Sequence, residues 1–358
     1  MDVYATFLET IRRHRLLKAG DRVLVAVSGG SDSTALLHLF LSLRRSRLAI
    51  DLAIAHVDHG TRGPEAREDA AFVDSMARRE GLQISLHRLP PSPGNGASED
   101  HLRAGRLSCL WQAAQRWPAT HLALGHTRDD QTETVLLNLM RGAGRRGLGG
   151  MPIIRAAGPS GAPAGPAGPA LIRPLLRLPR ASLREWLAQK GIPWRVDSSN
   201  REPRYLRNRL RHELLPLLEE LRPGSGAAIA RAAHLLQEDE VFLSDLARQA
   251  AGMMESGERA RLSTSRLRRL APPLARRVLR RAARGRGGGD AARGRVAWVP
   301  GAVQVDSVLR LVRSRRTGHV DLGQGVVARV GRSAVTFAGT NRRGGGSRRG
   351  NEPGATSR

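Results

Sequence analysis

Apolar runs alternate with amphipathic segments over the first 150 residues of the chain. Strand-like apolar runs lie at residues 23–27, 52–57, 84–89 and 122–125, and the first of them is continuous, which is typical of a strand buried on both faces. Segments with helical spacing lie between and after them, at residues 34–43, 65–80, 97–117 and 131–141. This alternation predicts an α/β fold in which helices cover both faces of a parallel sheet. Ligands bind such sheets beyond the carboxyl ends of the strands.

The pattern changes after residue 155, where Pro, Gly and Ala dominate residues 156–170 and predict a loop or insertion. Helical spacing returns over residues 171–221 and again over two arginine-rich stretches. A Gly/Arg break at residues 285–295 then precedes a predicted small helix and short strands. These features divide the chain into four predicted parts: a first domain (1–221), a helical domain (222–284), a small α+β segment (296–338) and a disordered basic tail (339–358).

The segment that follows the first predicted strand has the chemistry of a phosphate-binding loop. It reads Ser28-Gly29-Gly30-Ser31-Asp32-Ser33 and leads into a predicted helix. The two glycines let backbone amides approach an anion at the start of that helix. The loop lacks the Gly-Lys-Ser/Thr ending of a P-loop, and Asp32 suits a carboxylate that faces Mg²⁺ on the phosphates. The alternative is an ordinary Gly/Ser turn with an acidic residue near a helix start.

Two further sets of polar residues follow the second and third predicted strands. Asp58 ends the second strand, where it either lies beside a nucleotide or only caps a turn. Glu99, Arg103 and Arg106 are spaced to share one face of the helix predicted at residues 97–117. An ordinary surface ion-pair stripe has the same spacing, so both interpretations stay open.

A third set of polar residues follows the fourth predicted strand. Asp130 and Glu133 are three residues apart, so their carboxylates share one side of a helix and can reach a single ligand. Helix capping explains Asp129 but not the whole acidic group. Paired carboxylates in a strongly cationic protein favour an amine as the ligand.

The charge balance favours a polyanionic partner. The chain has 59 Lys and Arg against 32 Asp and Glu, a formal net charge of +27, and all its basic residues but Lys18 and Lys190 are arginine. Nucleic acid is the first candidate, and a compositional bias towards arginine is the alternative. Aromatic residues make up 3% of the chain, too few for base-stacking modules, so RNA contacts should depend on arginine and backbone.

The cysteine content and hydropathy indicate the compartment. Cys109 is the single cysteine, which excludes an intrachain disulfide and a Cys-x-x-Cys site and points to a reducing interior. The sequence contains no run of 18 apolar residues that would predict a membrane span. Residues 1–17 lack the apolar core of a signal peptide. We therefore expect a soluble cytoplasmic protein with no membrane partner.

In order, these motifs resemble those of the tRNA(Ile)-lysidine synthetase family. The resemblance rests on SGGSDS (28–33), AHVDHGTR (55–62), the Glu99 to Arg106 stripe, GHTRDDQTETVLLNLMRGAGRRGLGGM (125–151), RPLL (173–176), WRVDSSN (194–200) and YLRNRLR (205–211). It covers residues 15–220 strongly. Beyond them the chain is similar only in pattern to the short form of that family.

The resemblance implies a PP-loop ATP-pyrophosphatase domain, an adenine-nucleotide alpha-hydrolase-like fold, at residues 1–221 and a tRNA-binding role for the helical domain. It implies that ATP adenylates the C2 carbonyl oxygen of cytidine 34 in the CAU anticodon of tRNA(Ile). Free L-lysine then displaces AMP to form lysidine. A homodimer is left open.

The resemblance also implies roles for individual residues. ATP binding falls to Ser28, Gly29, Gly30, Ser31, Asp32 and Ser33. The expected catalytic residues are Asp32, Asp58, Asp130 and Glu133, with Mg²⁺ held at Asp32 and lysine at the acidic pair of residues 130 and 133. Contacts with phosphates of tRNA or ATP fall to Arg103, Arg106, Arg207 and Arg211.

Three other classes compete with this interpretation. A thiolase that inserts sulfur after adenylation needs several cysteines or an iron–sulfur cluster. An amidotransferase-linked synthetase needs a glutaminase nucleophile, which the sequence does not offer. A plain RNA-binding protein does not need an intact loop at residues 28–33 together with the acidic pair.

Overall fold

The computed structural model describes residues 2–46, 48–58, 64–89, 99–155, 168–196, 206–252, 261–283 and 299–339. The chain forms two compact units, Met1–Phe242 and Leu243–Arg358. Their boundary lies inside the long helix α10 (Ser225–Gly252), later than the boundary that the sequence suggested after residue 221. The four functional parts stay a prediction. Most of the predicted insertion, the Gly/Arg break and nearly all of the tail lie outside the described residues.

The first unit is built on a six-stranded sheet in the order β3-β2-β1-β4-β6-β5. Its strands are β1 (Arg22–Ala26), β2 (Asp51–Asp58), β3 (Gln83–Arg88), β4 (His121–Ala123), β5 (Ile154–Arg155) and β6 (Ala170–Ile172). All neighbouring strands are parallel except β5, which runs antiparallel to β6. The predicted parallel α/β fold is confirmed.

Helices pack on both faces of this sheet. The helices before α10 in the described part of the chain are α1 (Val3–Arg13), α2 (Ser31–Ser46), α3 (Pro64–Arg79), α4 (Glu99–Arg116), α5 (Arg128–Met140), α6 (Arg145–Leu148), α7 (Arg180–Gln189), α8 (Leu206–Arg209) and α9 (Leu215–Leu221). Val23 and Val25 of β1 pack with residues of α1, α2 and α7, whereas Leu24 packs with residues of α4. Successive side chains of a strand point to opposite faces, so β1 is buried on both, as its apolar run predicts.

The segments that leave β1 and β4 approach each other closely at the carboxyl edge of the sheet. A Cβ atom on Gly125 would lie 3.1 Å from the backbone N and Cα of Ser33. A side chain at this position would therefore have to push the backbone at the start of α2 away by a few tenths of an ångström. Glycine lets the polar segment after β4 lie this close to the phosphate loop.

The second unit contains a four-stranded antiparallel sheet in the order β7-β10-β9-β8. Its elements are β7 (Arg261–Ser263), α11 (Thr264–Arg269), α12 (Pro272–Ala283), α13 (Ala302–Arg313), β8 (Gly318–Gly323), β9 (Val326–Val330) and β10 (Ala334–Gly339). Leu262 of β7 pairs with Val335 of β10, so the three residues of β7, which lie in the predicted helical domain (222–284), belong to a sheet. A three-residue strand is too short to show a period, which is why the sequence indicates helix there. No helix in the described ranges is long and apolar enough to cross a membrane.

Candidate active site at the carboxyl edge of the parallel sheet

The loop between β1 and α2 is closed by its own serine hydroxyls. The backbone N–H of Ser28 donates to Oγ of Ser33 (3.1 Å), and that hydroxyl donates to the carbonyl of Gly30 (3.1 Å). Gly29 has a φ of +92°, in the left-handed region that favours glycine. Its carbonyl accepts from the N–H of Arg195 at 2.9 Å. The loop leads into the N-terminus of α2, where backbone N–H groups and the helix dipole attract phosphate.

Arg180, the first residue of α7, joins the phosphate loop to the acidic group after β4. Its Nε donates to Oδ2 of Asp32 (2.7 Å), its Nη2 to Oδ1 of Asp130 (3.0 Å) and its backbone N–H to Oδ2 of Asp129 (2.9 Å). Arg180 is absent from the predicted site residues. Its position could have marked it, because the helix dipole disfavours a cation at the start of a helix. The surrounding carboxylates explain that position.

Asp130 also fixes the start of α5. Its Oδ2 accepts from the N–H (2.8 Å) and the hydroxyl (2.9 Å) of Thr127, whose hydroxyl oxygen accepts from the N–H of Asp130. This reciprocal capping box starts the helix at Arg128 rather than at the predicted residue 131. One oxygen of Asp130 therefore holds the helix, while the other faces two guanidinium groups, those of Arg180 and Arg211 (3.0 and 3.4 Å).

Glu133 is fully buried and is bound by two arginines that follow residue 205. Nε of Arg207 donates to its Oε2 (2.9 Å), and Nε of Arg211 donates to its Oε1 (2.7 Å). Arg211 belongs to a π-helical turn, Leu210–Leu214, between α8 and α9. Three carboxylates and three guanidinium groups thus form one cluster. We call this the central ion-pair network: Asp32, Asp130, Glu133, Arg180, Arg207 and Arg211.

The two aspartates of the central ion-pair network have pKa values shifted in opposite directions. Burial raises the pKa of Asp32, and the neighbouring charge of Arg180 offsets this only in part. Burial acts on Asp130 in the same sense, but the positive charge of Arg180 and the N–H of Thr127 help to hold its pKa well below the ordinary value. Asp130 is therefore a firm anion, and Asp32 is the more easily protonated of the two.

The other predicted site residues lie on other elements. Asp58 ends β2, and its Oδ2 lies 3.6 Å from Nε of Arg88. Arg103 and Arg106 lie on α4, where Nη2 of Arg103 contacts Sδ of Met151 at 3.6 Å. The structure brings five predicted residues together in the central ion-pair network. Asp58, Arg103 and Arg106 are not members of that network. Burial lowers the pKa of His126, and the nearby charges of Arg103 and Arg106 lower it further, whereas the nearby charge of Asp130 raises it.

Comparisons with known proteins agree with this geometry. A family model described as the PP-loop domain matches residues 4–218, and one described as the TilS substrate binding domain matches residues 262–334. The chain is 36% identical over 344 residues to the tRNA(Ile)-lysidine synthase of Symbiobacterium thermophilum, which covers 92% of this chain and 68% of that protein. The chain belongs to the tRNA(Ile)-lysidine synthase family. The predicted family is confirmed, and membership with a PP-loop domain implies the use of ATP.

Another member of the tRNA(Ile)-lysidine synthase family, from Solibacter usitatus, is 37% identical over 270 residues, which cover 75% of this chain and 57% of that relative. The chain thus spans between 57% and 68% of the length of these two relatives. Among solved structures, the U34-tRNA thiolase NcsA from Methanococcus maripaludis has a TM-score of 0.53 at 17% identity, covering 65% of this chain and 78% of that one. At this identity the likeness concerns the fold alone.

The donors at the phosphate loop suit a magnesium ion that is held mainly by phosphates. Within the described ranges, no group of three or more His, Cys, Asp or Glu side chains is placed to hold a metal ion. Mg²⁺ usually keeps several waters and takes one or two carboxylates beside the phosphates. Asp32 offers one such carboxylate next to the Ser31 hydroxyl, 3.1 Å away. The residues present fit the ion.

Proposed function

We propose that the chain is an ATP-dependent ligase that joins L-lysine to C2 of cytidine 34 in the CAU anticodon of tRNA(Ile). The product, lysidine, pairs with A instead of G, so the codon read changes from AUG to AUA. Family membership supports the reaction. The observation that carries it for this chain is that Arg180 links the phosphate loop directly to the acidic residues of α5. One site therefore has an anion-binding half and a cation-binding half.

In the first step, the C2 carbonyl oxygen of the cytidine attacks the α-phosphorus of ATP. The bond from that phosphorus to the bridging oxygen breaks, and pyrophosphate leaves. Amides of Gly29 and Gly30, with the loop serines, stabilise the charge that grows on the leaving group. Mg²⁺, when bound to the phosphates and Asp32, adds positive charge there.

In the second step, the ε-amine of lysine attacks C2 of the adenylated base. For this attack the ε-ammonium group first gives a proton to solvent. The C2–O bond then breaks, AMP leaves with the oxygen, and the newly bonded nitrogen gives a further proton to solvent. Asp130 and Glu133 attract and orient the cationic side chain of lysine. The depressed pKa of Asp130 suits it to binding the ammonium group rather than to accepting the proton.

The arginines of the central ion-pair network bear on how lysine enters. Each carboxylate of the network has a guanidinium partner, so a lysine ammonium group must share or replace one. Arg207 and Arg211 are also the predicted contacts to tRNA phosphates. We infer that tRNA draws these two arginines away from Glu133 and leaves the acidic pair for lysine.

Lysine incorporation tests the proposed function. The full chain is mixed with a CAU-anticodon tRNA(Ile) transcript, ATP, Mg²⁺ and radiolabelled lysine. We expect label in the RNA with equal amounts of AMP and pyrophosphate. Without lysine, pyrophosphate release should leave adenylated RNA, and a GAU-anticodon transcript should stay unmodified. Release of pyrophosphate from the complete mixture with no label in the RNA would contradict the second step, and no release at all would contradict the whole proposal.

Asp32→Ala tests the first step. It removes the carboxylate offered to Mg²⁺, so pyrophosphate release should be lost in a protein that still folds. Asp51→Ala, at the exposed start of β2, is the control and should keep the wild-type rate. Near wild-type release by Asp32→Ala would show that this carboxylate is not needed.

A further inference from the structure

Two arginines at the β5–β6 side of the sheet, the buried Arg173 and the half-buried Arg155, have no acidic partner within the described residues. Arg173 follows β6 directly and is only 5% exposed. Its Nη1 donates to the carbonyl of Pro152 (2.8 Å), but its Nε has no hydrogen-bond partner within the described part of the chain. Arg155 ends β5, and its buried Nε and Nη2 lack partners in the same part of the chain. Donors of both side chains are thus buried and unused.

These two arginines differ from those of the central ion-pair network. Arg180, Arg207 and Arg211 each have a carboxylate oxygen between 2.7 and 2.9 Å away, whereas no described carboxylate pairs with Arg155 or Arg173. Burial, with the nearby positive charges of Arg155 and Arg103, lowers the pKa of Arg173 to about 9. A buried guanidinium group is costly unless an anion compensates its charge.

The adjoining stretches of sequence do not supply that anion. Residues 156–167 follow β5 and residues 90–98 precede α4, which carries Arg103, and neither stretch contains an Asp or a Glu. The compensating group is then expected to come from a ligand. Guanidinium groups bind phosphate oxygens through paired N–H donors. Nε and Nη2 of Arg155 form such an unpartnered pair within the described residues, and Nε of Arg173 adds a third donor.

We propose that Arg155 and Arg173 bind a phosphodiester of the RNA substrate. The inference rests on the proposed function and deepens it. In the sheet, β6 lies two strands from β1, roughly 10 Å at the usual strand spacing. We therefore assign the phosphate bound here to a group other than the ATP phosphates at the loop of residues 28–33, and the test below distinguishes the two. The RNA is the substrate with further phosphates to offer.

The test measures binding of an anticodon stem-loop RNA to full-length Arg173→Met and Arg155→Met across a salt series. Each variant should bind the RNA about tenfold more weakly, with a log–log salt slope flatter by about 0.7 to 0.9. Thermal stability without RNA should stay equal or rise, because an uncompensated buried charge has been removed. Arg116→Met removes the same charge from the exposed end of α4 and should change neither quantity.

The outcomes separate the alternatives. Weaker RNA binding at equal or raised thermal stability supports the site. If RNA binding is unchanged but the KM for ATP is raised, the phosphate bound here belongs to ATP. If RNA binding and the KM for ATP are both unchanged, no anion binds here. Either result overturns the inference. If Arg173→Met does not fold, the less buried Arg155→Met decides by the same criteria. Wild-type protein that binds no stem-loop RNA and incorporates no lysine would instead overturn the proposed function.

Discussion

Arg180 is the residue through which a change in one half of the site reaches the other, because its single guanidinium group binds both Asp32 and Asp130. Removing one partner of a buried ion pair costs about 3–5 kcal/mol. Arg180→Gln should therefore lower the free energy of unfolding by about that amount in urea denaturation, and pyrophosphate release should slow in the protein that remains folded. Arg180→Lys keeps the charge but not the two-armed contact, so it should recover stability more than rate.

Arg177→Gln is the matched control for this prediction. Arg177 lies three residues earlier and pairs with Glu9 at 3.0 Å in a partly exposed ion pair. Such pairs contribute about 0–1 kcal/mol, so the loss should be small. Equal losses for the two variants would mean that the contacts of Arg180 are no stronger than a surface pair.

A pH series should separate the two aspartates of the network. The pKa of Asp130 lies below the ordinary value of 3.8, so its ionised form stabilises the fold above that pH and the contribution is lost as the pH falls below it. The advantage of the wild type over Asp130→Asn in thermal unfolding should therefore shrink between about pH 5 and pH 2. The stability advantage of the wild type over Asp32→Asn should instead grow as the pH falls, since the pKa of Asp32 is raised. Parallel curves for all three proteins would contradict both assignments.

Helix α8 and the π-helical turn place Arg207 and Arg211 against one carboxylate, that of Glu133. This predicts that the binding of tRNA and the binding of lysine are coupled. If tRNA takes over these arginines, the Kd for lysine should fall when tRNA is present, by about fivefold or more. Arg207→Gln and Arg211→Gln should reduce the gain. Arg209→Gln should keep it, because Arg209 pairs with Glu213 of the same segment at 3.0 Å. Equal lysine affinity with and without tRNA, measured by calorimetry, would show that no exchange takes place.

The sequence predicts best those elements whose side chains are buried along most of their length. Strands β1 and β2 are buried along nearly their whole length and α2 has buried side chains in every turn, so each shows a clear pattern in the sequence. Strands β5, β6 and β7, of two or three residues, are too short to show one. Helix α5 begins earlier than its apolar pattern because Thr127 caps it.

The central ion-pair network was predictable only in part. Asp130 and Glu133 are close in sequence, and their shared face follows from helical spacing. Their partners are not local: 74 residues separate Glu133 from Arg207, and 148 separate Asp32 from Arg180. No periodicity encodes such pairs. Family motifs pointed to residues 207 and 211 as functional, but not to the carboxylate that each one binds.

For the whole molecule, the charge of +27 predicts that RNA binding weakens steeply with salt. The second unit contains the residues matched by the TilS substrate binding domain and exposes Arg261, Arg269 and Arg281. Changing these three to Gln should weaken tRNA binding and flatten the log–log salt slope by about 0.9 for each phosphate that is no longer neutralised. The same change at Arg12, Arg79 and Arg116, exposed in the first unit, removes equal charge. Equal effects of the two triple variants would indicate general charge rather than a binding surface.

The parallel pairing of β1 with β4 also determines how long β1 lacks a neighbouring strand while the chain is being synthesised. Arg22 and Thr120, at the base of these strands, are hydrogen-bonded across 98 residues of sequence. At roughly 5–20 residues per second, the ribosome leaves one edge of β1 unpaired for roughly 5 to 20 seconds. Asp32 lacks its ion-pair partner for longer still, until Arg180 has left the ribosome. Strand β1, which leads into the phosphate loop, is thus synthesised early and exposes unpaired N–H and C=O groups that favour aggregation, and the carboxylates of the central ion-pair network acquire their arginine partners last.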